Sequence, residues 1–441
     1  MPGAARGDDG GGARGGGEDG VPGRGDVRGA DGPDDRGDDH RDDGGGDRGD
    51  RADRGLSVLR AVPEARSSSG SGTPWFVWAS LASVTSIVVG LYCDISWHLT
   101  VGRDTFWTPA HVLIQLGGII GGASGCVLIF STTLDRRSAL RDRSIGVWGF
   151  RGPFGAFLAA WGAATMVVSA PFDNWWHSAY GLDVTILSPP HTVLVLGILG
   201  VAVGGVLNVV ATLNRATGEL RARLAWILLA IGAEILVLVM TAIFEYTFRA
   251  NLHSGRSYRA VAIVAPLTLV GLAQVSGRRW AATAVAAGYT VFMAVMLWVL
   301  ALIPAEPKLG PVYQVITHFV PLNFPVLVLV PALALDLVRG RIAGWRRWRQ
   351  AIVLGGVFVA SLVAVEWPFA SFLQSDASHT WVFGTHYHPY FMSPESLEAR
   401  GEFIHPPVAA LWLGMAEAVV AAIATSWIGL AIGDALRKVR R

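Results

Sequence analysis

Three residues with metal-ligand chemistry lie within "CDISWHLTVGRDTFWTPAHV", residues 93–112. Asp94 and His98 are four positions apart, so on a helix they share one face. His111 follows thirteen positions later, just after Pro109, a residue suited to the first turn of a helix. The spacing therefore predicts that the end of one helix and the start of the next bring a carboxylate and two imidazoles to one point.

The same arrangement occurs again in "FDNWWHSAYGLDVTILSPPH", residues 172–191. Asp173 and His177 are four positions apart, and His191 follows a Pro-Pro pair. Two imidazoles and a carboxylate suit a divalent first-row transition metal, and copper, iron and zinc are all chemically compatible. Three protein ligands leave coordination positions open, as catalytic metal sites do. We therefore predict two metal sites of similar construction.

Further polar and aromatic side chains accompany these ligands. Arg103 and Asp104 lie between His98 and His111. We expect them to form an ion pair next to the metal ligands that helps to orient them without binding the metal. The nearby tryptophans are typical of the membrane interface, and they could also wall an apolar pocket. They are Trp97, Trp107, Trp175 and Trp176.

The elements that must position these residues are membrane helices. Of 441 residues, 51% are hydrophobic and 16% are charged, against about 25% charged in a typical soluble domain. No basic patch is interleaved with aromatics, so nucleic acid is not an expected partner. We predict an all-α polytopic transmembrane bundle of about ten helices, in contact with membrane lipid. The apolar runs are 75–96, 109–133, 153–174, 190–213, 224–246, 259–277, 280–303, 319–338, 351–373 and 406–434.

The charges between the runs predict the orientation of the chain. Each even-numbered run is followed by arginine or lysine, as in "DRRSALRDR" and "RGRIAGWRRWR". By the positive-inside rule these segments and both termini are cytoplasmic in the plasma membrane. The chain then forms five helical hairpins whose tips face outward. Ten of the 11 histidines, all except His40, fall at or near those tips.

Three regions follow from this organisation. Residues 1–72 are rich in Gly, Asp and Arg and are predicted to be a disordered cytoplasmic tail. Residues 73–250 form the transmembrane metal-binding region. Residues 251–441 add further transmembrane helices and a long outer loop at 374–407.

The outer loop carries four histidines, two of them as a His-x-His pair with Met392 nearby. Such a set could capture a copper ion as an accessory site, or it could belong to an ordinary ordered surface loop. The four are His379, His386, His388 and His405.

Ionisable residues within the apolar runs are costly and often functional. Glu234 lies in the middle of the fifth run and is a candidate proton relay. Glu245 and Arg249 lie four positions apart at the end of that run, so we expect them to form a structural ion pair.

At this point the sequence resembles a known family. "DISWHLTVGRDTFWTPAHV" is similar to the most distinctive segment of the C subunit of the copper membrane monooxygenases, which oxidise methane, ammonia and short alkanes. The likeness covers the acid-x3-His-x12-His spacing and the intervening "RDT" and "TP-x-H". The family's next metal-binding stretch has Asn-x3-His-x13-His with a Trp two residues before the first His. Here Asp173 replaces that Asn, while Trp175, His177 and His191 keep the spacing.

The resemblance implies a function. It implies copper bound by Asp94, His98 and His111 at one site, and by the Asp173 set at the other. It also implies a membrane-bound monooxygenase subunit that oxidises a small apolar substrate with dioxygen and works beside a cupredoxin-bearing subunit. This chain has no cupredoxin-like sequence of its own and has extra helices after residue 250. A copper-handling or transport protein that uses the same ligands without turnover, and a metal-free structural protein, are the alternatives.

Overall fold

The computed structural model describes residues 72–102, 105, 107–181 and 188–440. Within these residues the chain is an all-α bundle, as predicted, and the predicted tail lies outside them up to residue 71. A short antiparallel hairpin, β1 (Ile145–Val147) and β2 (Phe150–Gly152), joins α2 to α3. The helices are α1 (Trp75–Thr100), α2 (Pro109–Leu134), α3 (Phe154–Tyr180), α4 (Pro189–Leu213), α5 (Gly218–Ala242), α6 (Gly255–Ser276), α7 (Ala281–Leu300), α8 (Leu329–Ile342), α9 (Arg347–Leu373) and α10 (Val408–Leu436).

Nine helices in the described part of the chain are long and apolar enough to cross a membrane. The exception is α8, which has 14 residues. A transmembrane helix needs about 20 apolar residues, so α8 alone is too short. The chain is therefore a multi-pass membrane protein of the predicted helical type.

The eighth apolar run differs from its expected form. The sequence predicts a membrane-length helix over 319–338, but residues 319–328, which include Pro321 and Pro325, are not helical, and α8 begins only at Leu329. Both prolines lack the N–H that a helix interior requires. Most of this segment is buried within the protein, the condition under which irregular backbone is tolerated at membrane depth.

Small residues bring the helices of each hairpin close together. A Cβ added to Gly162 of α3 would lie 2.6 Å from the Gly197 carbonyl oxygen of α4. In the first hairpin, the Ser83 hydroxyl donates to the Gly117 carbonyl oxygen across α1 and α2 at 2.6 Å. Small residues therefore let the two helices of the first and second hairpins approach closely.

Candidate metal centre

The first candidate site lies where α1 ends and α2 begins. Asp94 and His98 are in the last two turns of α1. His111 is the third residue of α2, which begins at Pro109. The Asp94 Oδ1 atom lies 3.0 Å from His111 Nε2, and Asp94 Oδ2 lies 3.9 Å from His98 Nε2. The predicted ligands are therefore brought together, with the carboxylate between the two imidazoles.

The second candidate site repeats this arrangement between α3 and α4. Asp173 Oδ2 lies 3.4 Å from His177 Nε2, and Asp173 Oδ1 lies 3.5 Å from His191 Nε2. The Ser188 side chain accepts a hydrogen bond from the His191 backbone N–H and so caps α4 at this point. One ligand atom from each of the three residues lies within 4.8 Å of the other two.

Hydrogen bonds fix the proton of one imidazole in each site. His111 Nδ1 lies 3.1 Å from the Thr105 carbonyl oxygen, and His177 Nδ1 lies 3.2 Å from the Gly181 carbonyl oxygen. A carbonyl oxygen only accepts, so each Nδ1 carries the hydrogen, and in the neutral ring Nε2 is an acceptor. That acceptor faces a carboxylate in both sites, and a metal ion or a proton between the two would satisfy both groups.

The carboxylates themselves also fit a cation. Asp94 Oδ1 and Asp173 Oδ1 are buried, and neither accepts a hydrogen bond from the described residues. Ligand bonds of 2.0–2.1 Å place neighbouring donors of a tetrahedral site roughly 3.3 Å apart. The 3.4 and 3.5 Å separations at Asp173 are close to that value but involve its two different oxygens, and those at Asp94 are less even.

The aromatic neighbours lie in different surroundings. Trp97 packs on Phe319 with ring centroids 5.7 Å apart, whereas Trp107 is largely exposed. Trp175 and Trp176 both pack on Tyr180 beside the second site. More than half of the Trp175 surface is exposed, as expected for an interfacial residue. The predicted pair of Arg103 and Asp104 lies outside the described residues.

Glu234, the candidate proton relay, lies away from both sites. It accepts a hydrogen bond from the Thr85 hydroxyl across the α1–α5 contact, and its Oε2 atom is buried without a partner among the described residues. Thr85 is nine residues before Asp94 on α1, which is about 13.5 Å along the helix. A proton moving from Glu234 to the first site would therefore need intermediate carriers.

Arg249 has a different partner from the one expected, so the predicted pair with Glu245 is wrong. Arg249 Nε instead donates to Glu398 Oε1 of the outer loop at 2.8 Å. The reason is local: α5 ends at Ala242, and the chain continues through two short 3-10 turns, so Glu245 and Arg249 do not share a helical face.

Of the four loop histidines, His379 lies close enough to lower the pKa of His386 and His388, whereas His405 lies near His253. His379 lies 3.9 Å from the exposed Asp376 carboxylate, and the His386 ring packs against Tyr387 in a tilted arrangement. His388 lines a small cavity with Met392 and Arg249. Burial and the neighbouring guanidinium of Arg249 lower the pKa of His388 to about 4, so this imidazole is neutral at neutral pH. The accessory copper site stays a prediction.

Acidification is expected to destabilise the folded loop through His388. Its pKa rises from about 4 in the folded chain to the ordinary value of about 6.5 on unfolding, so the unfolded chain binds more protons between these values. The contribution of His388 to the free energy of unfolding is fully present above about pH 6.5 and is lost as the pH falls toward 4. Thermal unfolding midpoints of the wild type and of His388→Gln, compared between pH 7.5 and 5, test this. The wild type should lose more; equal losses contradict the assignment.

No family model, curated protein or solved structure matches the chain in comparisons with known proteins. The class that the described residues define is therefore a multi-pass helical membrane protein with two His–Asp clusters at its hairpin tips.

Proposed function

We propose that the chain is an integral membrane metal protein that binds one first-row transition ion at each of two hairpin tips. The observation that supports this best is the acceptor-to-acceptor contact found twice: imidazole Nε2 of His111 faces Asp94, and that of His177 faces Asp173. A cation would satisfy each contact, and the same ligand set is built twice. Two chance proton-sharing pairs with the same spacing are a weaker explanation than a repeated metal site.

Copper is the metal that we propose for both sites, with iron and zinc as the alternatives to test. Two imidazoles and one carboxylate accept all three ions. The resemblance of the opening segment to the copper membrane monooxygenases supports copper. Asp94 or Asp173 would supply the anionic ligand, and the paired histidines would supply nitrogen ligands.

The reaction that we propose is oxidation of a small apolar substrate with dioxygen, by a subunit related to those monooxygenases. A bound copper ion with open positions supplies the redox chemistry. The chain's own part is to hold that ion at the membrane surface, within reach of a substrate dissolved in the bilayer. Since α2 returns the chain across the membrane between them, α1 and α3 end on the same side, so both sites can serve one face. Electrons would come from a separate cupredoxin-bearing subunit.

Metal stoichiometry tests the binding proposal. Purified protein equilibrated with Cu²⁺ and freed of excess should retain two equivalents by elemental analysis. The double variants His98→Ala/His111→Ala and His177→Ala/His191→Ala should each retain one, because each lacks two of three ligands. The control His379→Ala/His386→Ala, in the outer loop, should keep both. Unchanged copper in either site variant would reject that site, and the same titration with Zn²⁺ and Fe²⁺ ranks the metals.

Oxygen consumption separates turnover from copper handling. Membranes that contain the copper-loaded chain and its cupredoxin-bearing partner should consume dioxygen when a short alkane or ammonia is added. The two double-histidine variants should lose that response. Copper binding without substrate-dependent oxygen consumption would replace the monooxygenase proposal by the copper-handling one.

A further inference from the structure

The last two turns of α1 carry polar side chains on two opposite faces. Asp94 and His98 lie on one face. Ser96 and Thr100 lie on the other, because two residues turn a helix by about 200°. Both hydroxyl residues are fully buried, whereas His98 is nearly half exposed. The metal ligands of the first site are therefore backed by a buried polar face.

That buried face is bonded to the second half of the chain. The Ser96 hydroxyl donates to the Val320 carbonyl oxygen at 2.6 Å, and the Val320 backbone N–H donates to the Thr100 hydroxyl at 2.8 Å. Val320 belongs to the non-helical segment 319–328, so its backbone N–H and C=O are not part of a helix. We call Ser96, Thr100 and Val320 the clamp. It satisfies both backbone groups of Val320 and fixes the end of α1 at the same time.

Other contacts surround the clamp at the same helix end. The Leu99 carbonyl oxygen accepts from the Tyr390 backbone N–H at 3.1 Å, and the Val101 carbonyl oxygen accepts from Lys308 at 2.9 Å. Gly102 has a positive φ of 80°, and a Cβ there would meet the Tyr390 hydroxyl. The outer loop and the segment after α7 thus close over the end of α1.

The second site lacks this support at the matching positions. Trp175 and Ala179 stand two and six residues after Asp173, as Ser96 and Thr100 stand after Asp94. Neither has a hydroxyl group, and both are exposed, so no described element covers that face of α3. The two sites share a ligand pattern but differ in what holds their helix in place.

We infer that the clamp makes the two sites functionally unequal: the first retains its metal, and the second exchanges it. This inference rests on the proposed metal function. Groups that hold ligands from behind typically change metal affinity by about 10–100-fold when lost. A clamped helix end keeps Asp94 and His98 in position after a ligand dissociates, which favours rebinding over escape. Ser96, Thr100 and Val320 are positioning residues, and the second half of the chain is the support of the first site.

Copper release from single-site proteins tests this. His177→Ala/His191→Ala leaves the first site alone, and His98→Ala/His111→Ala leaves the second alone. Each is loaded with Cu²⁺, mixed with excess EDTA, and followed by the Cu²⁺ electron paramagnetic resonance signal. The first site should release copper about tenfold more slowly than the second. Thr100→Val should raise release from the first site by about tenfold and alter its spectrum, Thr100→Ser should restore both, and neither should change the second site.

Each outcome decides the inference. Ser96→Ala removes only one donor and gives a milder variant if Thr100→Val folds poorly. Unchanged release from the first site in both variants overturns the clamp as a positioning device. An equal rise in the two backgrounds overturns it as well, because it marks general loosening of the bundle. Absence of bound copper from both single-site proteins overturns the proposed metal function, and with it this inference.

Discussion

Replacing Glu398 by glutamine is expected to lower the free energy of unfolding by about 3–5 kcal/mol, the range for breaking a buried ion pair from one side. Arg249 is 4% exposed, and its Nε donates to Glu398 Oε1 at 2.8 Å. The carboxylate also accepts from the backbone N–H groups of Arg249 and Ala250, at 3.3 and 2.8 Å. Glutamine keeps the shape of the side chain but leaves the Arg249 guanidinium buried without its counter-charge.

The measurement is denaturant or thermal unfolding of the protein in detergent micelles. Glu402→Gln is the matched control, because its pair with Arg400 lies in the same loop and both side chains are about half exposed. Such an exposed pair contributes about 0–1 kcal/mol. If Glu398→Gln and Glu402→Gln cost the same, the buried pair does not hold the loop.

The consequence extends to the first metal site. The Arg249 guanidinium also donates to the Thr385 carbonyl oxygen at 2.5 Å, so one side chain joins the α5–α6 connection to two parts of the outer loop. Tyr390 of that loop bonds to Leu99, next to His98. Loosening the loop should therefore disturb the end of α1 more than the end of α3, because the corresponding face of α3 is exposed and no described part of the loop covers it.

The ligand geometry could be predicted from sequence because it depends on neighbours in the chain. Asp94 and His98 meet through the i, i+4 rule, and Pro109 begins α2 as its first residue. The same local rules apply to Asp173 and His177. What these rules need is only a helix end, a short connection and a helix start, all of which the apolar runs and prolines indicated.

The rest depends on partners far away in the sequence. Arg249 bonds to Glu398, 149 residues later, although Glu245 is the nearest acid at helical spacing. Ser96 and Thr100 read as ordinary small polar residues of a membrane helix, and nothing local indicates that Val320 will bond to both. The two prolines of the eighth run indicated a disturbance, but the sequence does not distinguish a bent helix from a helix that starts after them.

Replacing Asp173 by asparagine is expected to lower the Cu²⁺ affinity of the second site by about 10–100-fold, since the amide keeps the shape and one oxygen ligand but loses the negative charge. The prediction is specific because the same substitution should not lower the stability of the metal-free protein. An amide can donate to His177 Nε2, relieving the contact between acceptors. The metal-free variant should therefore be at least as stable as the wild type.

Thermal unfolding with and without Cu²⁺ separates these two effects. A ligand stabilises the fold in proportion to the logarithm of its concentration over the dissociation constant, so a 100-fold weaker site loses about 2.7 kcal/mol of copper-linked stability. Asp94→Asn, measured in a protein whose second site has been removed, tests the first site in the same way. Asn174→Ala is the control for a substitution on the exposed side of α3. If Asp173→Asn keeps the full copper-induced shift, the carboxylate is not a ligand, and the close approach of Asp173 to two imidazoles reflects a shared proton instead.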